Sequence, residues 1–484
     1  MNEFVIKGGL VHKGDGSDPE ETDIAVKDGK ILGFLEATRK NSANVIDVKG
    51  SIVTPGFVEV NAETYGEHGI FADPYAAHLA KKGITSVIVG SDGVSPAPLF
   101  AKSAAFLRSE YPGASNADWQ SMREFLSVME KRGVGVNTGM LAGYATLRSA
   151  FTEGYGRDLA MGEIESLGRT MAESLRGGAL GVSFDLSEPY LNRVSADEIF
   201  RVMNAGGIFK SVFAFHLRDE RDPAASLAEI LALSEAHLAN VEIDHFQPIT
   251  EFKDGYLAAA EEIEKGSADK NVHFDVFPRP VAKMPIHDLF PVWIKENTLR
   301  NLAKAAGDSH VRERLLEALA GFPTDDLKIA DVPKPLQFLK GKTIGEFAAN
   351  QGVSAPEAVL KLAILSQMKA EMLSGNVDAE ALESLLKNGH AIITLQYHRA
   401  DGESVPLFEK ILSSGKLIEK LTGLPSRKYG LRERGYLKEG YYADIAVFKE
   451  NQPFYVFVNG KAVLEAGVFK PQFAGRIIKN RMEK

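Results

Sequence analysis

The sequence predicts an α/β protein, a (β/α)8 barrel with a small β-sandwich formed from both ends of the chain. Two short regions of strand-like residues lie at the termini, and strand-like and helix-like patterns alternate between them. Eight strand candidates can be counted in this middle region. Such alternation is typical of a parallel sheet covered by helices, because parallel strands need crossover connections long enough to hold a helix.

The terminal regions consist of short apolar segments separated by turns. Asp28-Gly29 and Asn459-Gly460 are typical hairpin turns, because both residue pairs tolerate positive φ. We expect residues 1–55 and 425–484 to form one discontinuous β-sandwich domain. Its predicted strands are residues 4–6, 10–11, 24–26, 31–33, 45–48, 442–448 and 454–461.

The middle region, residues 56–424, is predicted to form the barrel domain. A helix is expected at residues 75–82, after the first strand, and a long insertion follows the seventh strand at about residues 279–340. An insertion after a barrel strand lies at the catalytic end, so this one is a candidate lid. The eight predicted strands are residues 57–60, 84–90, 133–137, 179–183, 211–216, 241–245, 272–277 and 391–395.

Composition limits the classes of function. The chain has 484 residues and a formal charge of −9, which argues against nucleic acid or an anionic membrane as the main partner. Without cysteine it can form neither disulfides nor thiolate metal sites. No signal-like start and no apolar run of transmembrane length is found, so we expect a cytoplasmic protein. The oligomeric state is left open.

Three residues at predicted strand ends have side chains that bind divalent metals: Asp92, His216 and His245. Two imidazoles and one carboxylate form a recurring catalytic zinc set that leaves a position for water. The alternatives are structural histidines, and an aspartate that only forms a turn before Gly93. Spacing alone does not decide between them, because the three residues are far apart in sequence.

The stretch 51–63 carries a family resemblance. Its run Val-Thr-Pro-Gly-Phe-Val-Glu-Val resembles the first barrel strand of the amidohydrolases, in particular the D-aminoacylase (N-acyl-D-amino-acid deacylase) branch. That branch continues with His-x-His, two ligands of a catalytic metal, where this chain has Asn61 and Glu63. Residues two apart on a strand share a face, so both are expected at the strand mouth.

Other segments extend the resemblance over most of the chain. Phe215-His216-Leu217-Arg218-Asp219-Glu220 is similar to the family's His-x-Arg-Asp-Glu segment, which implies that His216 binds metal. His245 stands where the family has its other barrel histidine, and Asp92 replaces a ligand cysteine. The resemblance thus implies one divalent metal, with zinc expected, on Asp92, His216 and His245.

The resemblance also implies roles outside this set. Arg399 lies in a segment similar to the one whose arginine binds the substrate carboxylate, the alternative being a solvated surface arginine. Glu63 is the expected catalytic residue, as a base or proton carrier near the metal. The family's aspartate on the eighth strand falls near Leu395, which cannot do that work, and Asp401 is the nearest later carboxylate.

Two classes of function follow. The first is a metal-dependent hydrolase of the amide C–N bond of a small carboxylate-bearing substrate, such as an N-acyl-D-amino acid. The second is a catalytically inactive barrel that binds a small molecule or a partner. Four positions expected at the strand mouths differ from the family pattern: Asn61, Leu395, the position of the missing cysteine, and Tyr144, which replaces a common family histidine. A third, an altered lyase or hydrolase using Glu63 and Asp275, has no positive support.

Overall fold

The protein is described here by a computed structural model. It describes residues 3–35, 44–62, 69, 71–110, 118–152, 157–206, 211–237, 240–266, 271–295, 298–395 and 407–480.

Twenty strands are present in the described residues. They are β1 Glu3–Val11, β2 Glu20–Lys27, β3 Lys30–Leu35, β4 Val45–Asp47, β5 Ile52–Pro55, β6 Phe57–Ala62, β7 Ile84–Val89, β8 Asn137–Gly143, β9 Gly181–Asp185, β10 Val212–His216, β11 Asn240–Asp244, β12 Val272–Val276, β13 Ala282–Pro285, β14 Lys328–Asp331, β15 Glu371–Ser374, β16 Ala391–Ile393, β17 Ile445–Lys449, β18 Gln452–Val458, β19 Lys461–Glu465 and β20 Val468–Phe469.

Sixteen α-helices accompany these strands in the described part of the chain. They are α1 Ala77–Ala80, α2 Ala101–Glu110, α3 Met122–Arg132, α4 Tyr144–Thr152, α5 Met161–Arg176, α6 Ala196–Gly206, α7 Pro223–His237, α8 Lys253–Lys265, α9 Leu299–Ala306, α10 Ser309–Ala320, α11 Ile344–Gln351, α12 Ala355–Leu365, α13 Ala379–Lys387, α14 Phe408–Leu412, α15 Gly415–Leu421 and α16 Gly423–Lys428. Short 3-10 helices occur at Thr250–Phe252, Ile286–Leu289, Val292–Ile294 and Lys334–Leu339.

The barrel sheet contains eight parallel strands in the order β16-β12-β11-β10-β9-β8-β7-β6, so strands that follow one another in the barrel are also neighbours in space. All residues of β6, β7, β8 and β9 are buried, as expected for strands covered by helices on one face and by the barrel interior on the other. The sheet curls, and the predicted (β/α)8 fold is confirmed.

The terminal strands form a second, nine-stranded sheet. Its order is β20-β19-β18-β17-β5-β1-β2-β3, with β4 paired to β1, so strands from both ends of the chain share one sheet. The central pairing joins β5 to β17 in antiparallel register, with Val53 opposite Val447. Apolar side chains from both halves, including Phe4, Ile24 and Phe457, pack in one cluster. The predicted sheet from both termini is therefore present, while the exact domain boundaries stay a prediction.

The insertion between β12 and β16 contains a small antiparallel sheet of its own, in the order β13-β15-β14. Two segments of the insertion meet in space, because the Arg314 guanidinium lies 4.2 Å from the ring centre of Trp293. A guanidinium over an indole ring is a favourable cation–π contact. The insertion reaches the mouth of the barrel through residues 286–295, described below.

Two predicted elements were placed wrongly. The third barrel strand was expected at residues 133–137, but β8 begins at Asn137, where it pairs with Ser86. Instead of joining the sheet, Gly135 donates its N–H to the Pro74 carbonyl, and Val134 accepts from Gly475. The helix expected at residues 75–82 is only the four-residue α1, since Ala76 has a left-handed backbone at φ 53° and cannot continue a helix.

A buried polar network joins the two sheets. Asn137 at the start of β8 donates to Asp444 Oδ2 at 3.0 Å, and its Oδ1 accepts from Asn459 at 2.8 Å. The Asp444 carboxylate also pairs with the Arg434 guanidinium. Because every one of these groups is buried, their bonds fix the terminal sheet against the base of the barrel. No helix in the described residues is both long and apolar enough to cross a membrane.

Candidate active site

The candidate site lies at the carboxyl ends of the barrel strands, which we call the mouth. Parallel register aligns His216, the last residue of β10, with Asp185 at the end of β9 and with Asp244 at the end of β11. His245 follows Asp244 directly. Three neighbouring strands therefore deliver two imidazoles and two carboxylates to one edge, where catalytic residues of such barrels lie.

The structure brings the predicted ligands into one neighbourhood. Asp92 Oδ1 lies 3.4 Å from His245 Nε2, and the rings of His216 and His245 are 5.3 Å apart between centres. The Nε2 atom of His216 contacts Glu220 Oε1 at 3.1 Å. Asp92 and His245 are thus close enough to share an ion. His216 lies next to His245, but its Nε2 atom contacts the Glu220 carboxylate.

A more compact set of potential ligands lies below the mouth. Among the residues that the structure describes, Glu242, Asp244 and Asp275 form the one group of three or more whose ligand atoms all lie within 4.8 Å of one another. The atoms of Asp92, His216 and His245 do not meet that distance together.

Asn61 occupies the centre of a hydrogen-bond network at the end of β6. Its Oδ1 accepts from Ser91 Oγ at 2.6 Å. Its Nδ2 lies 3.0 Å from His245 Nε2 and 3.4 Å from Asp275 Oδ2. An amide nitrogen has no lone pair for a metal, so in this arrangement Asn61 orients its neighbours through hydrogen bonds.

His245 has a strained backbone conformation, and hydrogen bonds to Asp275 hold it in place. His245 has φ 56°, a left-handed value that is uncommon for residues other than glycine. Its N–H donates to Asp275 Oδ1 at 3.1 Å, and the next N–H, that of Phe246, donates to the Asp275 carbonyl at 3.0 Å. Strain of this kind is characteristic of functional sites, where surrounding contacts hold it in place.

The mouth carries an excess of carboxylates. Burial disfavours the charged imidazolium of His216, but the carboxylates of Asp185, Glu220 and Asp288 outweigh that effect and raise its pKa well above the usual range. Burial raises the pKa of Asp185, with a further contribution from the charge of Asp92. A strongly negative environment of this kind favours bound cations.

The insertion contributes an ion-pair cluster beside this edge. Lys295 Nζ donates to Asp288 Oδ1 at 2.8 Å, and His287 Nδ1 lies 3.4 Å from the same oxygen. His287 Nε2 also lies 3.7 Å from Glu188 Oε2 in the segment after β9. Despite the burial of Asp288, the neighbouring Lys295 and His287 lower its pKa. The predicted lid function of this insertion stays a prediction.

Tyr144 directly follows the end of β8, and its side chain packs between β9 and α6. It is fully buried, packs on Phe184 with ring centres 4.7 Å apart, and donates its hydroxyl to Glu198 Oε1 at 2.7 Å. Arg148 Nε donates to the same oxygen at 2.8 Å. Burial, reinforced by the Glu198 charge, raises the pKa of Tyr144 well above its usual value. Its role in this structure is to complete a buried polar cluster.

The end of the eighth strand offers no acid in the described residues. Leu395 is buried, and its N–H donates to Glu59 Oε2 at 2.7 Å. Thr394 is also buried, with its N–H bound to the Val276 carbonyl. The expected catalytic Glu63, the expected carboxylate-binding Arg399, and Asp401 lie outside the described residues.

Sequence reasoning missed several groups near the predicted ligands. Asp185 and Asp244 lie at strand ends, and parallel register could have placed them beside His216. The predicted fourth strand ended at residue 183, two residues short of Asp185. Glu242 could also have been predicted from the sequence. It lies two residues before Asp244 on a buried strand, so both side chains face the barrel interior.

The comparisons with known proteins agree with this fold and site. No family model matches the chain. N-acyl-D-aspartate deacylase from Alcaligenes xylosoxydans is 25% identical over 458 residues, covering 92% of this chain and 85% of that protein. D-aminoacylase from the same organism is 24% identical over 509 residues, covering 98% of this chain and 97% of that protein.

A solved structure gives the same result at the level of the fold. N-acyl-D-glutamate deacylase from Bordetella bronchiseptica, complexed with zinc and a phosphonate mimic of the tetrahedral intermediate, superposes with a TM-score of 0.77. The two are 20% identical, and the match covers 98% of this chain and 99% of the other.

The chain is thus similar to D-aminoacylases, also called N-acyl-D-amino-acid deacylases, over nearly its whole length, and it shares the fold of a solved deacylase. The resemblance predicted from the sequence is confirmed. The expectation of a metal-dependent hydrolase of C–N bonds other than peptide bonds agrees with these relatives.

Proposed function

We propose that the protein is a metal-dependent amidohydrolase that cleaves the amide bond of a small carboxylate-bearing substrate, an N-acyl-D-amino acid or a close analogue. The observation that carries the proposal is the meeting of Asp92 and His245 at the barrel mouth, with Oδ1 and Nε2 3.4 Å apart. Near full-length similarity to two deacylases supports the substrate class.

One divalent metal would be held by Asp92, His216 and His245. A carboxylate and two imidazoles suit this role, and two of the three donors already converge. The chemistry that a metal supplies in such a set is polarisation of the amide carbonyl and activation of the attacking water. Zinc is our proposal for its identity, because this donor set suits zinc and a related deacylase was solved with zinc.

The surrounding residues position these ligands. Asp275 holds the His245 backbone, and Asn61 contacts its ring. Glu220 contacts His216 through Nε2, and His216 would exchange this contact for the ion if it bound together with the other two ligands. Supporting carboxylates next to ligating histidines are a recurrent feature of metal sites.

Two further roles rest on the family resemblance. Arg399 would hold the substrate carboxylate through paired hydrogen bonds, and Glu63 would carry the proton. The cytoplasmic location also stays a prediction.

The alternative is a catalytically inactive barrel that binds a small molecule or a partner. The observation that favours it is Leu395, a buried apolar residue whose N–H is bound to Glu59, at the strand end where the family has its catalytic aspartate. Without an acid at this position, proton transfer during hydrolysis depends on another group. If the chain has no such group, it would bind its ligand without cleaving it.

Metal analysis and an activity panel separate the two functions. Protein purified without chelators is analysed for metal and assayed with N-acyl-D-aspartate, N-acyl-D-glutamate and neutral N-acyl-D-amino acids, with L-enantiomers for comparison. We expect hydrolysis of at least one D-substrate, and His216→Ala should lower kcat/KM at least about 100-fold and hold one metal fewer per chain.

The matched control is His310→Ala, because His310 is exposed on α10. This variant should keep the wild-type metal content and activity. Wild-type protein that holds no metal and hydrolyses no substrate would refute the hydrolase and leave the binding barrel. Equal metal content in wild type and His216→Ala would refute the proposed ligand set.

A further inference from the structure

A second group of acidic side chains adjoins the mouth and extends into the barrel, with Asp244 at the end of β11 and Glu242 two residues deeper. Glu242 and Asp244 alternate on β11, so both face the interior, and Asp275 is on the neighbouring β12. Phe274 is the register partner of Ile243, which places Asp275 beside Asp244. Ligand atoms of the three carboxylates lie within 4.8 Å of one another.

These carboxylates are buried, and several of their oxygens make no hydrogen bond. Glu242 is 0% exposed, and neither Oε1 nor Oε2 accepts a hydrogen bond of ordinary geometry from a described residue, although the Tyr429 hydroxyl lies close enough to interact with this carboxylate. Asp244 Oδ1 also has no hydrogen-bond partner among the described residues. An unpaired buried carboxylate costs several kcal/mol, so native proteins pair such oxygens with a donor or a cation. The orphaned oxygens of Glu242 point into the same group.

The neighbouring cation does not satisfy these oxygens. Lys428 Nζ donates to the backbone carbonyls of Val241 at 2.5 Å and Asn271 at 2.7 Å. Burial lowers its pKa to about 7, although the Glu242 charge opposes this. Apolar residues such as Ala214 and Ile392, the register partners of Glu242 and Asp275, line the same interior. Among the described residues, the other cationic groups that act on these acids are the imidazoles of His216 and His245 at the mouth.

We infer that Glu242, Asp244 and Asp275 bind a divalent cation in the barrel interior, separate from the metal of the mouth. An ion shared by three oxygens at ordinary metal–oxygen distances requires oxygen separations of this size. All donors are carboxylate oxygens, which favour Mg²⁺, Mn²⁺ or Ca²⁺ over softer metals. A divalent ion and the Lys428 ammonium together would balance three carboxylate charges.

The electrostatics of the apoprotein agree with an ion at this position. Burial raises the pKa of Glu242 to about 8, and the Asp275 charge adds to the effect. The charged form of Glu242 is therefore unfavourable without a partner, and a bound cation would stabilise it.

Mn²⁺ serves as the probe, because it accepts oxygen ligands and is detected by electron paramagnetic resonance. Full-length protein is stripped with chelator, dialysed, and titrated with Mn²⁺. We expect wild type to bind two ions per chain and His216→Ala, which lacks a ligand of the mouth, to bind one. Glu242→Gln should also bind one, with its interior site weakened at least about 10-fold, and the double variant should bind none.

The matched control is Glu173→Gln. Glu173 is an exposed glutamate on α5, outside the barrel interior. It should bind Mn²⁺ as wild type does. A shift in thermal midpoint adds a readout independent of activity: Mn²⁺ should raise the midpoint of His216→Ala and not that of the double variant.

Asp244→Asn is the second test of the interior site, in case Glu242→Gln folds poorly. It should lose the same ion as Glu242→Gln. Either variant binding as many ions as wild type would overturn the inference, and so would His216→Ala binding none. Any of these contradicting results would mean that protons, and not a bound cation, neutralise the three acids. None of these outcomes depends on whether the protein hydrolyses an N-acyl-D-amino acid.

Discussion

Asn61 shows how one substitution changes the chemistry of a strand end. The family resemblance predicts a metal-binding histidine at this place in the motif, whereas the amide of Asn61 contacts His245 and Asp275 and accepts from Ser91. These contacts keep the strained His245 backbone and its ring in place. In this chain Asn61 is a positioning group, and the proposed metal of the mouth would depend on ligands from other strands.

Tyr144 gives a prediction at the same scale. Tyr144→Phe removes the hydroxyl that Glu198 accepts at 2.7 Å. We expect the free energy of unfolding to fall by about 1–2 kcal/mol, the typical cost of removing the donor from a buried hydrogen-bond acceptor. Metal content and kcat/KM should stay unchanged, because the hydroxyl points into the helix layer. Denaturant unfolding and activity assays measure both quantities.

Tyr75→Phe is the control for Tyr144, because Tyr75 is 37% exposed and stacks on Phe473. Its stability should change by less than about 0.5 kcal/mol. Lower activity of Tyr144→Phe at unchanged stability would place Tyr144 in the site and contradict the structural role.

Among the elements, the junction of β8 and α4 controls the position of Asp92. Gly143, the last residue of β8, lies so close to Gly93 that a Cβ atom would overlap the Gly93 carbonyl group. Gly93 follows Asp92 in the chain and accepts a hydrogen bond from Ala145 at 2.9 Å. The tight approach of these two segments therefore fixes the loop that carries a proposed ligand.

Gly143→Ala tests this dependence. The added methyl group must push the loop of residues 92–94 away, with an overpacking cost of about 1–3 kcal/mol. We expect weaker metal binding at the mouth, by about 10-fold or more, since the ligand geometry loosens. Gly162→Ala is the control, because a Cβ there meets no atom within 4 Å. Equal metal affinity in both variants would show that the junction does not position Asp92.

At the scale of the whole molecule, the buried network at Asp444 joins the terminal sheet to the barrel. Asp444 accepts from Asn137 of the barrel, from the Asn459 backbone at 2.7 Å, and from Arg434. Arg434 is 5% exposed, so its charge depends on this partner. The terminal sheet is therefore held against the barrel by buried polar contacts. We expect the sheet and the barrel to unfold in one transition.

Asp444→Asn leaves the Arg434 guanidinium buried without its carboxylate. Breaking a buried ion pair in this way costs about 3–5 kcal/mol, which chemical denaturation followed by circular dichroism measures. Glu433→Gln is the control, because its 2.7 Å ion pair with Lys30 is about half exposed and should contribute less than about 1 kcal/mol. Similar losses in both variants would mean that the buried network does not hold the two sheets together.

The architecture was largely predictable because it follows from local patterns. Alternating apolar strands and helical segments indicated eight parallel strands, and hairpin turns such as Asp28-Gly29 indicated the terminal sheet. The third strand was misplaced because the apolar, glycine-rich residues 133–136 have a strand-like composition but bond to Pro74 and Gly475. Composition does not reveal which partner a backbone N–H will find.

The candidate site was predictable only in part. Asp92 and His245 could be proposed from their strand ends and the family motifs, and the structure brings them to 3.4 Å. The contact of His216 with Glu220 and the role of Asn61 were not visible, because side-chain orientation depends on neighbours from distant strands.

The sequence by itself determined the order of strands and helices, the sharing of one sheet by both termini, and the residue types available for metal binding. Periodicity and turn chemistry carry that information locally. Only the tertiary structure decided that Glu242, Asp244 and Asp275 meet inside the barrel, that Tyr144 faces Glu198, and that Gly143 presses on Gly93. The physical reason is that burial and charge proximity arise from packing between strands that are far apart in the chain.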